Sequence, residues 1–207
     1  MINPLARIRI VDDDPDMLSS WAFLLRSAGF QVSAYSSAKD FLEQDDPEDL
    51  GCLVLDIRMP EMSGLELQEL LNEERNPLPI IFCSGHASIE TCVSALKHGA
   101  IDFMEKPVDA AKLIKAIEAA CEAHQTRREL VLEQKRMQEK FNSLTGREKD
   151  VLFALSKGVS NREAGNALGI TEKTVQIHRG SLCKKLGLHS QLEIARVAEL
   201  FSSKRND

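Results

Sequence analysis

Asp12-Asp13, Asp56, Ser84 and Lys106 are the residues whose types and spacing could do chemistry, because each stands at or just past the end of a short apolar run. The runs are Ile8–Val11, Cys52–Leu55, Ile80–Cys83 and Ile101–Met104. An aspartate carboxylate is already ionised at neutral pH and needs no general base to attack a phosphoryl group; its obstacle is repulsion from the phosphoryl oxygens. An amine such as that of Lys106 neutralises those oxygens, and the Ser84 hydroxyl can donate to the group once it arrives. Gly85 behind Ser84 leaves that loop free to move. Asp56 is therefore a candidate phosphoryl acceptor.

These groups meet only if the runs are strands of one sheet. With Gln31–Ala34 they make five β-rich segments alternating with helical patterns, which predicts a parallel sheet covered by helices. In such a sheet ligands sit outside the carboxyl ends of the strands, where strand order reverses. If the first and third strands are neighbours, about 4.8 Å apart, Asp12, Asp13 and Asp56 converge. Three carboxylates that close repel one another and call for a hard cation; Mg²⁺ fits, with oxygen ligands and a natural partnership with phosphate. The first helix carries the apolar spacing Met17, Leu18, Trp21, Leu24, Leu25, Ala28 and stops at Gly29, with Asp14 and Asp16 favouring its N-terminus. Later helices are expected near Leu65–Glu74, Ala87–His98 and from Asp109 onward, with His86 an ordinary loop residue. Singly, each polar residue has a bland alternative: a turn or cap for an aspartate, a turn for Ser84-Gly85, a snorkelling lysine for Lys106. Jointly, five compatible groups at the right strand ends do not.

The motifs Val11-Asp12-Asp13-Asp14, Asp56-Ile-Arg-Met-Pro60, Met62-Ser-Gly64, Ser84-Gly-His86 and Phe103-Met-Glu-Lys106-Pro107 resemble the receiver domain of two-component response regulators. The resemblance covers residues 5–124. It implies a flavodoxin-like α/β fold, Asp56 as phospho-acceptor, and Mg²⁺ held by Asp13, Asp56 and the main-chain carbonyl of Arg58 with Asp12 assisting. It further implies Lys106 on the phosphate, a cis peptide before Pro107, and a switch pair of Ser84 and Phe103. Ser84 stands where threonine is common, so the hydroxyl is kept and a methyl lost.

A chain of 207 residues is comfortable for two domains. No stretch approaches the roughly 18 consecutive apolar residues of a membrane span, and no signal-peptide layout opens the chain, so a cytoplasmic protein is expected. The five cysteines are scattered through apolar periodicity, which reads as buried thiols rather than a metal site or disulfides. Residues 1–124 hold 10 Lys+Arg against 22 Asp+Glu, whereas residues 125–207 hold 16 against 10. That asymmetry points to a nucleic-acid-facing C-terminal part, which the acidic whole-chain pI conceals.

From Asp109 to Thr145 no Pro or Gly interrupts a helix that grows steadily more polar, giving a helical linker over residues 125–140. Leu130, Met137 and Leu144 recur at seven-residue spacing with Phe141 between, which fits either a short coiled-coil seam or a helix packing these residues on its own domain. Residues 141–207 then read as four short helices, Arg147–Lys157, Asn161–Leu168, Glu172–Leu186 and Gln191–Phe201, the first three stopped by glycine. Ser160 and Thr171 are good N-caps around Gly169, as a helix-turn-helix requires. With Val175, Leu182 and Leu186 buried, the opposite face carries Lys173, Ile177, Gly180 and Lys184, flanked by Gln176 and, nearer the buried edge, Arg179. Lysine suits phosphate or guanine, glutamine adenine, isoleucine a thymine methyl, and glycine close approach.

The segments Leu144-Thr-Gly-Arg-Glu148, Gly158-Val-Ser-Asn161, Ile170-Thr-Glu-Lys-Thr-Val175 and His178-Arg179 resemble the LuxR-type DNA-binding domain, the output of regulators of the NarL and FixJ kind. The resemblance implies that the helix Thr171–Leu186 enters the major groove of double-stranded DNA, with Lys173, Thr174, Gln176, Ile177, Arg179, Gly180 and Lys184 as its contacting set. Ala164-Gly165 and Gly180 depart from the usual pattern, which predicts lost packing and a marginally stable output domain. Together the two resemblances imply a regulator rather than a turnover enzyme: a sensor histidine kinase donates to Asp56, and phosphorylation promotes a homodimer that binds its operator. The rivals are a receiver with an RNA- or protein-binding output, and an aspartyl-nucleophile phosphatase. The latter needs an acid two residues after its nucleophile, where this chain has Arg58.

Overall fold

The apolar runs pair as parallel strands because each carries one set of side chains to either face of a sheet that helices cover on both sides. The computed structural model describes residues 6–46, 49–85 and 88–202 and divides into two compact units between Glu129 and Leu130. In the first unit, strands β1 (Arg7–Val11), β2 (Gln31–Tyr35), β3 (Gly51–Leu55), β4 (Ile80–Ser84) and β5 (Asp102–Glu105) lie in the order β2-β1-β3-β4-β5, every pairing parallel. Between them run helices α1 (Pro15–Ser27), α2 (Ala38–Gln44), α3 (Gly64–Glu73) and α4 (Ile89–Lys97), and α5 (Ala110–Asn142) follows β5. Side-chain alternation splits the core in two. Ile8, Ile10, Cys52, Val54, Ile81 and Cys83 meet Trp21 and Leu25 of α1 and Leu113 and Ile117 of α5. Val11, Leu53, Leu55 and Phe82 meet Phe41, Leu67, Leu71 and Ala95 on the other face.

Several boundaries differ from the sequence reading for local reasons. The strand expected from Ile101 begins at Asp102, Ile101 being 48% exposed, and β4 extends one residue to include Ser84. Helix α4 starts at Ile89 because Ser88 caps it, its side chain accepting from the Thr91 N–H; Ala87 and His86 fall outside the described residues. Helix α2, which the reading left unplaced, is announced by Ser37, whose side chain accepts from the Asp40 N–H. Asp14 caps α1 as anticipated, accepting from Asp16 and Met17 N–H.

One charge is embedded in the sheet. Arg9, in the inner strand β1, is fully buried and donates to both oxygens of Asp45 at 2.9 and 3.0 Å and to the carbonyls of Arg7, Asp46 and Asp49. A buried guanidinium persists only when its donors are met this way, and here it fastens the chain before β3 to the sheet.

The second unit contains α6 (Gly146–Leu155), α7 (Asn161–Leu168), α8 (Glu172–Leu186) and α9 (Gln191–Ser202). Val151, Leu152, Leu155, Ala164, Val175, Leu182, Leu186, Ile194 and Val197 form its core, and Phe141 stacks on Phe201 with centroids 4.0 Å apart. Phe141 and Leu144 are thus packed within their own unit, while Leu130 is 55% exposed. Glu148 is the polar centre. It caps α6 reciprocally with Thr145, accepts from Ser181 Oγ at 2.6 Å and from Lys185 Nζ at 2.7 Å, and so ties α6 to α8. Burial alone would raise its pKa; the donors from Lys185, Ser181 and Thr145 overcome that and hold it at about 2.

The expectation that Gly165 loses packing is corrected. A methyl there would sit 2.8 Å from the Ile170 carbonyl oxygen, so the glycine is what lets α7 close on the turn before α8. Gly180 faces open space. Gly165→Ala should therefore destabilise the chain by roughly 1–3 kcal/mol despite better helix propensity, whereas Gly180→Ala should stabilise it by up to about 1 kcal/mol; urea unfolding of the second unit's transition distinguishes the two. Glu148→Gln should remove roughly 2–3 kcal/mol at neutral pH. Because the folded pKa of Glu148 lies below its ordinary 4.5, this stabilisation is present above pH 4.5 and is lost as pH falls toward about 2, so the stability difference between parent and variant should shrink over that window in an acid titration.

Candidate functional site

Strand order creates the site. β1 and β3 are neighbours in register, Val11 opposite Leu55, so the next residues, Asp12 and Asp56, emerge side by side at the point where strand order reverses. Both are buried, Asp12 at 1% and Asp56 at 5% exposure. Lys106, just past β5, reaches back over β4, and its Nζ donates to Asp12 Oδ2 at 2.6 Å and Asp56 Oδ1 at 2.7 Å. Its main-chain N–H donates to the Ser84 carbonyl at 2.9 Å, the Lys106–Pro107 peptide is cis, and Trp21 of α1 lies 5.3 Å beneath the ammonium. The remaining carboxylate oxygens take main-chain donors: Asp14 N–H on Asp12 Oδ1, Arg58 N–H on Asp56 Oδ2.

The charges are unequal. Burial raises the Asp12 pKa, and the Lys106 ammonium and Asp14 N–H only partly offset it. Burial would lower that of Lys106, but its hydrogen bonds to Asp12 and Asp56 outweigh it and the pKa is raised. An ammonium bridges Asp12 and Asp56, while Asp13 is exposed. Among the described residues no group of three or more His, Cys, Asp or Glu forms a ready metal cage. The donor set still fits Mg²⁺, which keeps several waters and takes one or two carboxylates, because Asp12 and Asp56 share a single ammonium and the exposed Asp13 follows Asp12 directly.

Ser84 is buried at the end of β4, and Phe103 is half-buried with its ring 6.3 Å from Phe82 and 29° from parallel. Two contributors escaped the sequence reading. In the sequence Trp21 reads only as part of an apolar stripe, although it is the sole tryptophan of the chain. Gly64, noted only as part of a motif, opens α3 where any β-carbon would run into the Asp56 carbonyl, and its N–H donates to the Ile57 carbonyl at 2.9 Å.

In the second unit, Thr171 caps α8 and Val175, Leu182 and Leu186 are buried as read. Lys173, Gln176, Ile177, Gly180 and Lys184 are exposed, Ile177 at 64%. Two residues are engaged locally. Thr174 Oγ1 lies 2.8 Å from Thr171 Oγ1, and Arg179 donates from Nη1 to Asn161 Oδ1 at 3.0 Å.

Comparison with known proteins agrees with both units. Residues 8–118 match the response regulator receiver domain, and residues 142–198 match the bacterial regulatory proteins of the luxR family. The chain is 40% identical over 192 residues to the response regulator protein TodT of Pseudomonas putida, covering 93% of this chain and 85% of TodT. It is 37% identical over 195 residues to the transcriptional regulatory protein FixJ of Azorhizobium caulinodans, covering 93% and 92%. Among solved structures, the response regulator StyR aligns with a TM-score of 0.87 at 41% identity over 94% of this chain and 98% of that one. Full-length FixJ from B. japonicum aligns with a TM-score of 0.59 at 32% identity over 94% and 96%. No described helix is long and apolar enough to cross a membrane. With a receiver sheet bearing paired aspartates under a lysine, followed by a LuxR-type helix-turn-helix, the chain belongs to the response regulators of two-component systems that control transcription through a DNA-binding output.

Proposed function

We propose that Asp56 is the phosphoryl acceptor of this regulator and that its phosphorylation promotes operator binding by the second unit. The observation that carries the reading is the Lys106 ammonium bridging Asp12 and Asp56 at adjacent strand ends. Attack by an Asp56 carboxylate oxygen on the phosphorus of a kinase phosphohistidine breaks the N–P bond, forms an acyl phosphate and returns the imidazole nitrogen its electron pair. Asp13, Asp56 and the Arg58 main-chain carbonyl, assisted by Asp12, are the residues that would hold Mg²⁺, which supplies charge neutralisation for the phosphoryl oxygens. Lys106 exchanges its carboxylate partners for a phosphoryl oxygen, and the Ser84 hydroxyl donates to another.

Lys106 is bonded through its main chain to Ser84, and Phe103 stands three residues earlier, so this exchange repacks the end of β5. The neighbouring face of α4 already exposes Ile89, Val93 and Leu96 at helical spacing, which supports pairing of two copies through it. Two output units on one dimer then bind paired half-sites more tightly than one alone, by effective concentration. The exposed Lys173, Gln176, Ile177, Gly180 and Lys184 of α8 supply the groove-facing set, with cytoplasmic double-stranded DNA as the partner.

Asp56→Asn should abolish the rise in operator affinity that a small-molecule phosphodonor produces in a gel-shift titration; an undiminished rise would sink the assignment. Lys106→Met should also lose that response, and leaves two buried carboxylates without a cation. Its receiver unit should be less stable than the parent at high pH and recover part of the loss as pH falls and one carboxyl takes up a proton, which urea unfolding at two pH values measures.

A further inference from the structure

Gly165 and Gly180 stand in opposite situations, and packing explains only the first. Gly180 lies in mid-α8 with nothing within 4 Å of where a methyl would sit. An interior helix glycine costs about 1 kcal/mol against alanine, so the fold itself has no use for this one. Beside it lies a hollow of about 560 Å³, bounded by Asn161 of α7, by Gln176, Arg179, Gly180 and Cys183 of α8, and by His189 of the turn before α9.

The chemistry of that hollow is one-sided. Its charged lining residue is Arg179, its other polar side chains include amides and an imidazole, and no carboxylate lines it. Glu193, in the first turn of α9, is engaged by the backbone of the preceding turn, its Oε2 accepting from the N–H of His189 at 2.6 Å and of Ser190 at 3.2 Å. Asn161 Oδ1 accepts one Arg179 N–H at 3.0 Å, which aims the guanidinium and leaves donors over from its five. A helix about 10–12 Å across fills a major groove about 12 Å wide, so the sugar-phosphate strands run along its flanks. Gly180 lies on the groove-facing stripe with Lys173, Ile177 and Lys184, and Gln176 and Cys183, at spacings of four and three from it, lead from that stripe to the flank where Arg179 and Asn161 meet.

We propose that this hollow seats a backbone phosphate of the bound DNA, with Arg179 as its anchor, Asn161 as the residue that positions Arg179, and Gly180 as the gap through which the strand approaches. The inference rests on the DNA-binding reading of α8 and adds to it a phosphate subsite at the edge of the base-reading face.

The test uses the full-length protein treated with acetyl phosphate and a duplex that the wild type selects from random-sequence DNA, with affinity read by fluorescence anisotropy across a salt series. Arg179→Gln should weaken binding and lower the log–log salt slope by about 0.9, one phosphate contact. Gly180→Leu should weaken binding about tenfold or more with the slope unchanged, while its thermal unfolding midpoint is no lower than the parent's, because the fold leaves room there. Asn161→Ala should weaken binding alone yet add nothing on top of Arg179→Gln, as a positioning residue must. Wild-type affinity and slope in both Arg179→Gln and Gly180→Leu would overturn the subsite while leaving the DNA reading intact. Absence of salt-dependent duplex binding by the wild type would instead overturn that reading, and the subsite with it.

Discussion

Two carboxylates buried at the ends of adjacent strands are the constraint around which the first unit is organised. Asp12 and Asp56 are one strand spacing apart, and both cannot hold their charge in a dry setting without a cation between them. Lys106 supplies it, which requires a fifth strand on the far side of β4 and a turn that sends the lysine back across the sheet. Trp21 must lie beneath the ammonium, and Gly64 must bring α3 against the Asp56 backbone. The pocket is therefore a property of the whole sheet. The lysine that balances the aspartates is also hydrogen-bonded through its main chain to Ser84, which ties the pocket to the ends of β4 and β5.

The second unit holds a buried carboxylate and a lysine too, with a different outcome. Glu148 receives donors from Thr145, Ser181 and Lys185, and these drive its pKa down to about 2 despite burial. Asp12 shares its ammonium with Asp56 and has one further main-chain donor, so burial prevails and its pKa rises. The oversupplied carboxylate is a fixed strut that orients α8 for its work. The undersupplied one carries a charge that its surroundings satisfy only in part.

Much of this was legible from residue types. Strand-terminal Asp12, Asp56, Ser84 and Lys106 follow apolar runs whose period and length mark buried parallel strands, and the capping residues Asp14, Ser160 and Thr171 sit where they were read. Other residues were illegible because their meaning is a distance. Arg9 lies between two isoleucines in a strand, and no pattern shows that Asp45 and three carbonyls will converge on it. Gly165 and Gly180 look alike as helix interruptions, and only the Ile170 carbonyl against one and open space against the other separate them. Arg179 stands beside the groove-facing residues in sequence, and nothing there shows that Asn161, 18 residues earlier, takes one of its donors.

The sequence by itself determined the element order, the two-unit division of labour by charge, the family, and the identity of the acidic and basic residues, because periodicity, capping and composition are local properties of the chain. Tertiary structure alone decided which charges are shared. That Lys106 bridges Asp12 and Asp56 while Asp13 stays exposed, and that Glu148 locks α6 to α8, depends on strand order and helix packing that bring residues tens of positions apart within about 3 Å. Electrostatic and hydrogen-bond energies are set at that range, by partner and by burial, and so become readable only when the chain has closed on itself.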